Sequence, residues 1–141
     1  MSRNRDVIDR FYAAIQRKDV EELTAAIEDG FAVDAVLRLS DSLPYGGSYD
    51  GRELIKKLLT KLVTTRTPIV QPEQIVVKRM LEQGDDIVVE PEFPWLAPGA
   101  TEPIAMSAIE WFVFRDGRVT EMQVGYWDTA ACLRAMEAVA T

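Results

Sequence analysis

Two carboxylates interrupt apolar stretches of this sequence, and they are its best candidates for chemistry. Asp34 lies within residues 31–37 and Glu110 within residues 108–114, and the other residues of both runs suit buried strands. Burial raises the pKa of a carboxyl group, which suits a general acid or base working near neutral pH. The sequence therefore predicts a catalytic pair of Asp34 and Glu110. The alternative is that each acid only tethers a loop or pairs with an arginine.

The rest of the composition narrows the chemistry further. The 141 residues include no histidine and a single cysteine, Cys132, which excludes Ser-His-Asp and Cys-His catalysis, histidine metal sites and an internal disulfide. There is no Gly-rich phosphate loop and no tight cluster of acids. We therefore expect neither a cofactor nor a metal, although a carboxylate-only Mg²⁺ site remains open.

Charge and hydropathy predict where the protein works. The net charge of −7 argues against binding to nucleic acid or to an anionic membrane. No apolar run approaches the roughly 20 residues of a membrane span, and the first residues lack the apolar core of a signal peptide. One cysteine suits a reducing compartment. These features predict a cytoplasmic protein.

Apolar periodicity predicts an α+β fold. Apolar residues recur at helical spacing in residues 5–17, and capping patterns starting at Asp19 and Asp50 predict two more helices. A buried strand follows Gly30, and residues 40–49 read as a loop. Four strands and a last helix after Asp128 complete the chain; the strands are predicted at residues 73–82, 87–95, 103–114 and 118–127. This order predicts one domain over residues 1–141, with helices packed on the concave face of a curved antiparallel sheet.

Five segments, in this order and spacing, carry a resemblance to a known group. They are Asp-Arg-Phe-Tyr-Ala-Ala-Ile (9–15), Glu-Asp-Gly-Phe-Ala-Val-Asp (28–34), Tyr-Asp-Gly-Arg-Glu (49–53), Ile-Glu-Trp-Phe-Val-Phe followed by Asp-Gly-Arg-Val (109–119), and Gly-Tyr-Trp-Asp-Thr (125–129). The chain resembles the nuclear transport factor two-like superfamily, whose cone-shaped fold includes ketosteroid isomerases and SnoaL-like polyketide cyclases. The resemblance covers nearly the whole chain.

The resemblance assigns roles to the same two acids. It implies that Asp34 matches the general-base aspartate of ketosteroid isomerases. Glu110 matches the acid that donates a hydrogen bond to the developing enolate oxygen. The helix-one tyrosine of the steroid enzymes is replaced by Phe11, with Tyr12 one step away. The Arg-x-Asp pattern of limonene epoxide hydrolases is not visible in the second meander strand.

The predicted function is cofactor-independent acid–base chemistry on an apolar, carbonyl-bearing small molecule, by an isomerase or a polyketide-type cyclase. In this mechanism Asp34 takes a proton, and Glu110 donates to the oxygen or returns a proton. Alternatives are an epoxide-opening hydrolase or cyclase of the same fold, and a non-catalytic ligand-binding or assembly domain. The residues predicted to bind the substrate are Phe11, Tyr12, Phe93, Trp95, Phe112 and Trp127.

Three charged residues lie near the predicted site, and one apolar surface is predicted on the outside of the sheet. Glu90 and Glu92 share a strand face, which is either solvated or part of the site. Arg38 shares a strand face with Asp34 and is either its charge partner or a surface residue. Trp111 and Val113 alternate with Glu110 and would leave an apolar patch on the outer face of the sheet. We expect a homodimer through that face, as the resemblance also implies.

Overall fold

The predicted order of elements is confirmed in a computed structural model, which describes residues 2–140. Residues 1 and 141, the ends of the predicted domain, lie outside the described residues. The helices are α1 (Arg3–Gln16), α2 (Val20–Gly30), α3 (Arg52–Thr64) and α4 (Thr129–Ala140), with a short 3₁₀ turn at Pro72–Gln74. The strands are β1 (Phe31–Leu39), β2 (Gly47–Asp50), β3 (Val76–Gln83), β4 (Asp86–Trp95), β5 (Ile104–Arg115) and β6 (Arg118–Tyr126).

Local capping explains where the helices begin. The side chain of Ser2 accepts a hydrogen bond from the backbone of Arg5 at the start of α1, and Asp19 accepts one from Glu22 at the start of α2. The predicted capping role of Asp50 is wrong. Asp50 ends β2, a short strand within the predicted loop, and Gly51 precedes α3 with a φ of 99° that favours glycine.

The sheet has six strands in the order β2-β1-β6-β5-β4-β3. The α+β fold class is confirmed, but the sheet is mixed rather than wholly antiparallel, because β1 pairs parallel with β6. The long connection through α3 and the meander allows this parallel pairing, which a hairpin could not make. It places β1 and β5 on either side of β6, so both candidate strands border the same central strand.

One face of the sheet forms the core with the helices. On β5 the side chains of Met106, Ala108, Phe112 and Phe114 are buried, and Glu110 lies between them on the same face. Phe112 packs edge-to-face against Phe11 of α1, with ring centroids 6.0 Å apart. This packing fixes α1 over β5 and thereby brings Tyr12 to Glu110.

Two features are absent from residues 2–140. None of the helices in this range is long and apolar enough to cross a membrane. Within the same range, no group of three or more histidine, cysteine or acidic side chains is placed to hold a metal ion.

Candidate active site

An apolar cavity of about 340 Å³ opens between the inner face of the sheet and helices α1 and α3. Aliphatic and aromatic side chains make up most of its wall. Its polar groups include the carboxyl group of Glu110 and the hydroxyls of Tyr12, Tyr45 and Tyr126. An apolar pocket with a few convergent polar groups is the usual form of a small-molecule site.

Glu110 is the acid of this cavity. Its strand neighbours are Val89 on β4 and Val124 on β6, so apolar side chains flank it on both sides. The hydroxyl of Tyr12 donates a hydrogen bond to one carboxyl oxygen, Oε1. Glu110 is half-buried, since its side chain borders the open cavity. A ligand in the cavity would therefore contact this carboxyl group directly.

Burial raises the pKa of Glu110 to about 7, because desolvation disfavours its charged form. The hydrogen bond from Tyr12 acts in the opposite direction and limits the rise. The pKa of Tyr12 is itself raised well above its ordinary value, first by burial and then by the nearby carboxylate. Glu110 can therefore exist in both protonation states near neutral pH, whereas Tyr12 stays neutral and acts as a donor.

The structure contradicts the predicted placement of Asp34. Its side chain is exposed and is not part of the cavity wall. Ala35 and Leu37 are buried and face the core, so Asp34 lies on the opposite side of the strand by alternation. The register between β1 and β6 also shifts between Phe31 and Val36. The prediction that Asp34 and Glu110 face one pocket is therefore wrong.

The six predicted substrate-binding residues divide into three groups. Phe11, Tyr12 and Phe93 line the cavity. Phe112 and Trp95 are fully buried behind the wall rather than in it, where Phe112 supports the rings of α1. Trp127 is 83% exposed, because Tyr126 faces inward and the next residue must face outward. The predicted substrate contacts of Trp95, Phe112 and Trp127 are corrected accordingly.

The three undecided charges lie outside the cavity. Glu90 pairs with Arg79, with Nε and Oε1 2.8 Å apart, and Glu92 lies 3.7 Å from the ammonium group of Lys78. Pro91 between them lines the cavity, so both glutamates occupy the other strand face. Arg38 is exposed on β1. The interpretation of Glu90 and Glu92 as a solvated strand face is confirmed.

The sequence prediction missed two hydroxyl groups of the cavity. Tyr45 and Tyr126 lie 3.0 Å apart, measured between their hydroxyl oxygens, and both line the wall. Alternation along β6 could have identified Tyr126, because Met122 and Val124 share its face. Tyr45 sits in the loop before β2, where no period in the sequence indicates which way a side chain points.

Replacing Tyr12 with phenylalanine is expected to raise the pKa of Glu110 further, because the desolvation remains while the opposing hydrogen bond is lost. Infrared spectroscopy can follow the pH at which the protonated carboxyl band of Glu110 disappears. Tyr49→Phe is the matched control, since the Tyr49 hydroxyl donates to the backbone carbonyl of Tyr45 instead. A midpoint that is unchanged or lower in Tyr12→Phe would contradict this role of Tyr12.

Comparison with known proteins gives one family and many similar folds. The family model of the SnoaL-like domain matches residues 8–122. No curated protein matches the sequence. An NTF2-like protein of unknown function from Burkholderia pseudomallei is 22% identical, with a TM-score of 0.77 over 96% of this chain and 98% of that one.

Two further structures are similar over almost their full length. TerC, co-crystallised with polyporic acid, is 22% identical, with a TM-score of 0.75 over 96% of this chain and 99% of TerC. A protein from Jannaschia sp. CCS1, provisionally described as a SnoaL-like polyketide cyclase, is 16% identical, with a TM-score of 0.75 over 96% of this chain and 92% of that one. At such identities the similarity shows the fold alone.

Proposed function

Because this chain belongs to the SnoaL-like domain family, matched over residues 8–122, we propose that it moves protons on an apolar, carbonyl-bearing small molecule without a cofactor. The observation that carries this proposal is the carboxyl group of Glu110. It borders an apolar cavity, and its pKa is raised to about 7. A catalytic acid or base works best when its pKa lies near the working pH. Isomerisation and polyketide-type cyclisation are the reactions that this chemistry serves.

The proposed mechanism uses one carboxyl group in both roles. The Glu110 carboxylate removes a proton from the carbon next to the carbonyl, and the electron pair of that C–H bond moves towards the carbonyl oxygen to give an enolate. The protonated Glu110 then returns the proton to a conjugated carbon, which completes an isomerisation. In a cyclisation the enolate carbon instead attacks a second carbonyl of the same molecule. The new C–C bond forms as the π pair of that carbonyl moves to its oxygen, which takes the proton back from Glu110.

The cavity wall favours this mechanism over a two-acid one. Glu110 is the one carboxylate in the wall among residues 2–140. Asp34, the predicted base, is exposed on the other side of β1. Epoxide opening by an acid pair therefore loses its second acid, and a single group that both takes and returns a proton is the simpler assignment.

Deuterium exchange tests the proposed reaction without knowledge of the natural substrate. We choose 2-tetralone, a bicyclic apolar ketone with acidic hydrogens between its ring and its carbonyl. Incubated with the protein in D₂O, it is expected to incorporate deuterium at that carbon faster than in buffer alone, as followed by proton NMR. Binding of the ketone without any acceleration of exchange would instead support a non-catalytic ligand-binding domain.

The proposal includes a homodimer formed through the outer face of the sheet. Leu81, Val88 and Trp111 are aligned by register across β3, β4 and β5, and Ile109 lies beside them. Leu81 is 70% and Trp111 47% exposed in the single chain. An apolar row of this kind on a sheet face typically marks an interface.

The substitution Trp111→Lys is expected to convert the dimer to a monomer, because it would bury two charges at the centre of the interface. Light scattering coupled to size exclusion, at micromolar concentration, measures the mass. Val20→Lys on α2 is the control, since Val20 is exposed and distant from this face. A wild-type protein with the mass of one chain would contradict the proposed dimer.

A further inference from the structure

We propose that Tyr126 donates the hydrogen bond that holds the substrate's oxygen atom, and that Trp95 and Tyr45 fix the direction in which its hydroxyl hydrogen points. This inference rests on the proposed function and specifies the kind of substrate it accepts. It makes Tyr126 a catalytic residue, whereas Tyr45 and Trp95 act through Tyr126 as positioning residues.

A chain of two hydrogen bonds leads from the core to the cavity. The indole nitrogen Nε1 of Trp95 lies 2.9 Å from the hydroxyl oxygen of Tyr45, which lies 3.0 Å from the hydroxyl oxygen of Tyr126. Trp95 is fully buried, and an indole N–H can only donate. The first bond therefore has one possible direction, from Trp95 to Tyr45.

Counting hydrogens shows that one hydroxyl hydrogen is left over. The three groups carry three polar hydrogens, one on each of Trp95, Tyr45 and Tyr126. Two of these hydrogens make the two bonds of the chain. Among the hydrogen bonds of residues 2–140, no protein acceptor takes the third. Both tyrosines line the cavity, so a molecule bound there can accept this hydrogen.

The direction of the second bond decides which tyrosine presents that hydrogen. By accepting from Trp95, the hydroxyl of Tyr45 becomes a stronger donor and a weaker acceptor, since hydrogen bonds in a chain polarise one another. The geometry of the pair allows either direction, and because of this polarisation we assign Tyr45 as the donor to Tyr126, so that the hydrogen of Tyr126 is the one left over. Burial raises the pKa of Tyr126, so its hydroxyl stays protonated throughout the physiological pH range.

Tyr126 lies at the right place relative to Glu110. Glu110 pairs with Val124 across β5 and β6, and Tyr126 is two residues further along β6 on the same face. Diagonal neighbours of this kind have their Cα atoms roughly 7–8 Å apart, within reach of long side chains. Tyr12, the other nearby hydroxyl, already donates to Glu110. Tyr126 is therefore the donor that can meet the substrate's oxygen while Glu110 meets its carbon.

This arrangement defines the substrate class more narrowly. The oxygen acceptor of the substrate must lie about two bonds from the carbon that loses its proton, as in a ketone and its enolate. The rest of the molecule must be apolar, because the remaining wall is formed mainly by aliphatic and aromatic side chains. As negative charge develops on the oxygen, the hydrogen bond from Tyr126 strengthens and stabilises the enolate.

The carbonyl stretching frequency of bound 2-tetralone tests this inference directly, because a hydrogen bond to the oxygen lowers it. We expect a lowered frequency in the wild-type protein and a return to the value of an apolar solvent in Tyr126→Phe. Affinity should fall only about 3- to 10-fold, whereas deuterium exchange should slow by about 10²–10³-fold. Circular dichroism checks that the variant is folded.

Two further variants complete the experiment. Tyr45→Phe keeps the Tyr126 hydroxyl but removes its orienting donor, so the carbonyl band should move part of the way towards the apolar value. This spectroscopic effect keeps the inference testable if Tyr126→Phe does not fold. Thr120→Val is the control, because it removes a hydroxyl from the same strand β6 that donates to the backbone carbonyl of Val113 and does not line the cavity; it should leave the band in place.

The outcomes separate this inference from the proposed function. If 2-tetralone binds and Glu110→Gln abolishes its exchange, but the carbonyl band is the same with and without the Tyr126 hydroxyl, the inference is overturned and the proposed function stands. If Tyr45→Phe leaves the band unchanged, the positioning role of Tyr45 and Trp95 is overturned. Failure of the wild-type protein to bind 2-tetralone would count against both.

Discussion

Replacing Glu110 with glutamine is expected to slow deuterium exchange of 2-tetralone by about 10²–10⁴-fold, the usual cost of losing a general acid or base. Glutamine keeps the shape of the side chain and its acceptor oxygen for Tyr12, but it cannot take up or return a proton. The fold should survive, because a neutral amide is less costly to bury than a carboxylate. Exchange rates from proton NMR and circular dichroism spectra provide the two readouts.

Asp34→Asn is the matched control for this experiment. It makes the same change from carboxyl to amide on a strand of the same sheet, but at an exposed position outside the cavity. Its exchange rate should equal that of the wild-type protein. A rate that falls in Asp34→Asn and not in Glu110→Gln would reverse the assignment and restore Asp34 as the base.

The second large effect concerns stability and its dependence on pH. In the folded protein Glu110 has a pKa of about 7, against an ordinary value of 4.5 expected for the unfolded chain. Between these two values the folded state holds a proton that the unfolded state has released. The contribution of protonated Glu110 to the free energy of unfolding is therefore full below pH 4.5 and lost as the pH rises through 7. A difference of this size corresponds to roughly 3 kcal/mol.

The comparison with Glu110→Gln isolates this contribution, because glutamine does not titrate and the other groups cancel. The free energy of unfolding of the wild-type protein, relative to the variant, should fall by roughly 3 kcal/mol between pH 4 and pH 8. Urea unfolding at a series of pH values measures both proteins. A difference in unfolding free energy that is constant, or that grows as the pH rises, would show that burial does not raise the pKa of Glu110.

The fold could be predicted from the sequence because it depends on periodic patterns. The third meander strand, predicted at residues 103–114, is observed at Ile104–Arg115, and the fourth, predicted at residues 118–127, at Arg118–Tyr126. Long segments with a clear apolar period define their own secondary structure. Strand β2 has four residues and half-exposed side chains, so it carries no such signal.

The site could be predicted only in part, because it depends on which way each side chain points. Asp34 and Glu110 both lie in apolar runs of the sequence, but the two runs differ in how far the structure covers them. Val33, beside Asp34, is 68% exposed, and the register shift in β1 leaves that segment partly uncovered. Glu110 lies in β5, a central strand with a neighbour on each side. Pairing on both sides fixes which of its side chains face α1. A one-residue difference in register moves a side chain to the other face.

The pairing of Trp95, Tyr45 and Tyr126 depends on contacts between residues far apart in sequence. Tyr45 meets Tyr126 across 81 positions and Trp95 across 50. No local pattern encodes such a meeting, since it results from the loop before β2 folding back over the end of the sheet. The structure is needed to see that a buried tryptophan, predicted to contact the substrate, donates to a tyrosine instead.

Carbon-13 NMR of the Glu110 carboxyl carbon, titrated from pH 4 to pH 9, tests the central claim most directly. Glu110→Gln assigns the resonance by its disappearance. We predict a midpoint of about 7, because burial in the apolar cavity outweighs the hydrogen bond from Tyr12. A midpoint near the ordinary 4.5 of a solvated glutamate would contradict the central claim, because Glu110 would then be a weak base whose pKa is not matched to neutral pH.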